Sequence, residues 1–148
     1  MTAQQAVVDT NVLVAAGINR SGNPGQVLAA VERLKLQPVF SAVVIAEYRA
    51  VLTRARFGFQ AEWVNRLLGN FELLGLRLEP PPIDLAGLPD ASDAPFIALA
   101  RYARCPVITG NTKHFPKAAG VAVLTPAQWV AGVAVLTPAQ WVAAQAGA

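Results

Sequence analysis

The chain carries nine acidic residues, and four of them stand where a carboxylate is hard to explain by solvation alone. Asp9 lies within the apolar run "AVVDTNVLV", residues 6–14, with Thr10 and Asn11 directly behind it. It can cap a short helix through "TNVLVAA" or serve as a ligand at a strand end. Glu47 lies in "AVVIAEYRAVLTRA", where its helical neighbours at i±3 and i±4 are Val43, Val44, Ala50 and Val51. That face is expected to turn inward, and a lone buried carboxylate is costly unless it meets a cation or an arginine such as Arg49 or Arg54. Asp90 and Asp93 stand three apart at the start of a helix in "LPDASDAPFIALA". One can cap that helix and answer its dipole, which leaves the other spare. "VITGNTKHF" ends a strand in Thr109, Gly110 and Asn111, two neutral oxygen donors beside a glycine that permits close approach.

Carboxylates gathered in one place repel one another and raise each other's pKa unless a hard divalent cation neutralises them. Oxygen donors without a His/Cys set favour Mg²⁺ or Mn²⁺ over zinc. The chain has one histidine, His114, and one cysteine, Cys105. Cys105 is expected in the core, and His114 at the surface or against a substrate.

These residues meet only if the fold brings their segments to one edge. Short apolar runs alternate with helical periodicity, which predicts an α/β fold with a mainly parallel sheet. Strands are expected at 6–9, in "PVFS", "LRLE", "PVITG" and "VAVLT". Helices are expected over 25–35, after a Ser41 cap through "AVVIAEYRAVLTRA", over 60–74 and over 93–104, the last with Pro95 in its first turn. In such sheets ligands bind beyond the carboxyl ends of the strands, at a topological switch point. Asp9, Glu47, Asp93 and Asn111 can all reach that edge.

At 148 residues the chain is long enough for one domain with a substantial core. It is 54% apolar with a mean hydropathy of +0.41, which excludes an extended disordered chain. A net charge of +3 is compatible with a polyanionic partner. A single cysteine, no signal-peptide pattern and no apolar stretch of about 18–20 residues predict a soluble cytoplasmic protein without a membrane partner. The segment "GVAVLTPAQWVA" occurs twice, at 120–131 and 132–143, and residues 118–148 carry no charge. The first copy is expected to complete a domain over 1–131, and the second to form a tail over 132–148.

"VVDTNVLV", "SAVVIAEYRAVLTR", "DASDAPFIALA" and "VITGNTKHFP" followed by "VAVLTPAQW" together resemble the PIN-domain family, nearest the toxin components of toxin–antitoxin modules in the VapC superfamily. The resemblance covers residues 6 to about 131. It implies a three-layer α/β/α fold and a divalent-metal-dependent ribonuclease, with two metals roughly 4 Å apart where both bind. It also implies an antitoxin partner and a homodimer. Matched residue by residue, Asp9, Glu47 and Asp93 would be the catalytic metal-binding carboxylates, with Asp90 an additional acid. Asn11 and Thr109 match supporting polar positions. Asn111 stands where the family usually has a fourth acid, which leaves open one-metal catalysis or an RNA- or protein-binding domain without activity. Arg49, Arg54, Lys113 and His114 are candidates for holding RNA, Arg56 lies nearby, and no aromatic-interleaved RNA platform is read from the sequence. A strand-end Asp also opens phosphotransfer enzymes of the haloacid dehalogenase type, but these need a second Asp where Asn11 stands.

Overall fold

Successive strand residues point to opposite faces of a sheet, and Ala6, Val7 and Val8 are all fully buried. Both faces at this strand are therefore covered, as parallel sheets require. The computed structural model describes residues 3–84, 90–116 and 119–132. The expected tail, with the second copy of the repeat, lies outside these residues apart from Gly132.

Among the described residues five strands form the sheet: β1 (Gln4–Val8), β2 (Leu36–Phe40), β3 (Leu76–Arg77), β4 (Val107–Ile108) and β5 (Val123–Leu124). Their order is β3-β2-β1-β4-β5 and every pairing is parallel. The chain moves from β1 outward to β3, then crosses to the other side of β1 for β4. The direction of winding reverses between β1 and β4, so their carboxyl ends border the crevice where doubly wound sheets bind ligands. Val8 pairs with Ile108 in this register, which sets Asp9 beside Thr109.

Among the described residues six α-helices surround the sheet: α1 (Thr10–Ile18), α2 (Asn23–Glu32), α3 (Ala42–Leu52), α4 (Ala61–Leu74), α5 (Ala94–Ala103) and α6 (Pro126–Val130). The Ser41 hydroxyl accepts from the Val44 N–H and caps α3, and Pro95 occupies the first turn of α5. Along α4, Val64, Leu67, Leu68 and Phe71 are buried, as their spacing predicts. Residues 123–130 of the first repeat copy supply β5 and α6, the helix opened by a Thr125/Gln128 capping box.

Helix α3 departs from expectation at the position that matters. Its inward face is Val44, Tyr48 and Leu52, while Val43 is 60% exposed and Ala50 is exposed. Glu47 is half-buried at the border of that face rather than within it. The i±3/i±4 rule counted apolar neighbours but not the direction in which the helix meets the sheet. Tyr48 holds that direction: its ring packs edge-on to Phe71 and tilted to Phe96, and its hydroxyl donates to the carbonyl of Val8, the last residue of β1.

Burial keeps the Tyr48 phenol neutral, its pKa well above the usual value. Replacing Tyr48 by Phe removes the donor to a buried carbonyl and is expected to cost about 1–3 kcal/mol. Urea unfolding of the two proteins measures this; a loss under about 0.5 kcal/mol, half the lower end of that range, would show that the bond does not anchor α3.

Candidate metal centre

Asp9 occupies the N-cap position of α1 in extended conformation, yet its side chain forms no capping hydrogen bond. Its Oδ2 accepts instead from the Thr109 hydroxyl at 2.7 Å, across the switch point. The Asp9 side chain therefore does not cap α1. Asp9 is 7% exposed, and burial raises its pKa against the opposing Thr109 hydrogen bond. Thr109 is fully buried and receives two further N–H donors, from the Asn111 backbone at 2.9 Å and the Asn11 amide at 3.4 Å. Asn11 in turn accepts from the Gly110 N–H at 3.1 Å. Asn11, Thr109 and the Asn111 backbone thus form one bracket beneath Asp9.

Glu47 approaches from α3, where its Oε2 accepts from the Thr10 hydroxyl. Among the described residues no arginine pairs with it: Arg49 donates to Asn65 on α4 at 3.1 Å. Asp93 arrives from the opposite wall, at the end of a 3₁₀ turn (Ala91–Asp93) leading into α5. It is 6% exposed, and its Oδ2 accepts no hydrogen bond. His114 Nδ1 lies 3.3 Å from that oxygen, at ion-pairing distance but outside hydrogen-bonding geometry. Burial pushes the Asp93 carboxyl up to about 6, opposed by His114 and reinforced by Asp9, Asp90 and Glu47. Asp90 is exposed and caps the 3₁₀ turn through the Ser92 N–H at 2.9 Å, which lowers its pKa.

These residues open on one cleft of about 440 Å³, whose walls include Asp9, Asn11, Glu47, Asp90, Asp93 and His114. Asp90, Asp93 and His114 each offer a ligand atom within 4.8 Å of the others, while Asp9 and Glu47 face them in the same cleft. A buried carboxylate oxygen without a donor, in a cleft of four acids, fits a divalent cation. Arg49, Arg54, Lys113 and Asn111 are not part of the cleft wall, whereas Arg56 and Phe57 are. Thr10, which lines the cleft and anchors Glu47, was legible only as the residue after Asp9. Cys105 is buried away from these groups, its thiol pushed up to about 12 by burial, as a core residue requires.

The PIN domain family model matches residues 5–113, so the chain belongs to the PIN domain family. The fold resembles VapBC-1 from nontypeable Haemophilus influenzae at 19% identity and a TM-score of 0.53, covering 84% of this chain and 99% of that one. It also resembles FitAcB from Neisseria gonorrhoeae at 24% identity and a TM-score of 0.53, covering 82% and 97% of the two chains. No curated protein sequence matches the chain.

Folded Asp93 keeps its proton up to about pH 6, whereas an unfolded aspartate loses it near pH 3.8. The group therefore favours the fold below about pH 4, and that contribution is lost as pH rises through about 6. Without divalent metal, the thermal midpoint is expected to fall between about pH 4 and pH 6, the range set by this shift, and Asp93→Asn to flatten the fall. An equally steep fall in the variant would assign the pH dependence to other groups.

Proposed function

We propose that the chain is a divalent-metal-dependent endoribonuclease, the toxin of a toxin–antitoxin pair, acting on RNA phosphodiesters in the cytoplasm. The observation that carries this reading is the Asp93 Oδ2, buried without a hydrogen-bond donor in a cleft that also holds Asp9, Glu47 and Asp90. Asp9, Glu47 and Asp93 would hold Mg²⁺ or Mn²⁺, with Asp90 at the outer rim. A cation bound there supplies Lewis-acid charge against the phosphate and the leaving oxygen. Thr109 and Thr10 keep Asp9 and Glu47 in fixed orientations through their hydroxyls. Arg56 puts positive charge on the cleft wall, where a phosphate backbone would run, and the His114 imidazole lines the same wall.

Membership of the PIN domain family and the folds of VapBC-1 and FitAcB support the toxin reading. An antitoxin protein is the expected partner, and a homodimer the expected assembly. Asn111 favours a second reading, in which a domain with weakened metal binding holds RNA or a protein without cutting it.

Two measurements separate them. Mg²⁺ or Mn²⁺ at about 100 times its Kd should raise the thermal midpoint by roughly 5–10 °C, and Asp9→Asn or Glu47→Gln should abolish the rise. The wild type should cleave RNA in Mg²⁺ at least about 100-fold faster than Asp9→Asn. A midpoint indifferent to metal, with cleavage no faster than the variant on structured and single-stranded RNAs, would favour the binding domain.

A further inference from the structure

The connection between α3 and α4, "RARFGFQAEW" over residues 54–63, carries a feature that the carboxylate chemistry does not use. The Arg56 guanidinium lies 4.8 Å over the Phe57 ring. Phe57 stacks on Phe59 with centroids 5.4 Å apart and planes 10° from parallel. Phe59 meets Trp63 at 5.2 Å, and the Arg20 guanidinium covers Trp63 at 5.4 Å. All three rings are half-buried, and both arginines are exposed. Arg56 and Phe57 line the carboxylate cleft, so the row begins inside it and leads outward to Arg20.

The row is seated on α1. A Cβ added at Gly17 would come within 2.7 Å of Phe59 and within 2.9 Å of Trp63, so the rings rest almost directly on helical backbone. A side chain at position 17 would lift them. The platform is therefore fixed before any ligand arrives, which lowers the entropy cost of binding.

We infer that this Arg56–Phe57–Phe59–Trp63–Arg20 row is a track for a single-stranded RNA segment running out of the cleft. The ring faces are covered by one another, by the arginines and by α1. Bases of any sequence therefore stack on the exposed guanidinium planes that end the row and lie along the ring edges, while guanidinium charge neutralises the phosphates between them. A purely structural cap would need the rings but not a cation at each end. This inference rests on RNA being the substrate of the cleft.

The test uses the full chain carrying Asp9→Asn, in Mg²⁺, with fluorescein-labelled single-stranded RNAs of about 4 and about 12 nucleotides, read by anisotropy. The longer strand is expected to bind about tenfold tighter than the shorter. Phe57→Leu, which keeps an apolar side chain but no ring, should remove most of that gain; Phe57→Tyr should keep it. Arg20→Gln, at an exposed position, should flatten the salt dependence for the longer strand by about one phosphate contact. Affinities for the longer strand within twofold of the parent in both Phe57→Leu and Arg20→Gln would overturn the track. Ring-dependent binding together with no cleavage by the wild type would sink the hydrolysis reading alone and leave the track standing.

Discussion

Carboxylates repel one another, and a buried one without a donor is costlier still, so the cleft between β1, α3 and α5 is the point on which the rest of the fold is arranged. Asp9 and Asp93 are each less than a tenth exposed, and Glu47 and Asp90 share their cleft. The protein answers this strain unequally. Asp9 receives a hydroxyl donor from Thr109, and Glu47 one from Thr10. Asp93 Oδ2 receives none, and burial pushes its carboxyl up to about 6. His114 at 3.3 Å offsets the neighbouring acids only in part.

The fold exists in a form that can sustain that arrangement. A parallel sheet wound in both directions from β1 leaves a crevice at the carboxyl ends of β1 and β4, and no helix needs to close it. Tyr48 ties α3, the helix carrying Glu47, to the last carbonyl of β1, one residue before Asp9. The β1–β4 register puts Thr109 beside Asp9, and Asn11 closes the bracket from the first turn of α1. Each contact is modest alone; together they orient Asp9 and Glu47 toward the cleft that Asp93 also lines.

Much of this was legible in the sequence, because the strongest signals are local. Helical spacing marked α3, α4 and α5, and the Ser41 cap and Pro95 fell where expected. Short apolar runs located every described strand, although β3, β4 and β5 are only two residues long by their ladder hydrogen bonds. What could not be read was direction. Apolar neighbours of Glu47 suggested an inward face, but the pose of α3 on the sheet turns Tyr48 inward and leaves Glu47 at the cleft border. Arg49 and Arg54 looked as suited to the cleft as Arg56, and only the 3₁₀ turn at Ala55–Phe57 brings Arg56 and Phe57 to it. The pairing of Asp93 with His114 joins segments about 20 residues apart, a contact no periodicity encodes.

On the function proposed above, Asp9, Glu47 and Asp93 of this PIN domain would hold a divalent cation. Crystals grown above pH 7, where Asp93 is ionised, and soaked in Mn²⁺ test it by the anomalous signal of the metal. The account predicts at least one Mn²⁺ peak in contact with both Asp9 and Asp93. A well-ordered cleft with no peak at millimolar Mn²⁺, or a peak held by Asp90 and His114 without Asp9, would contradict it.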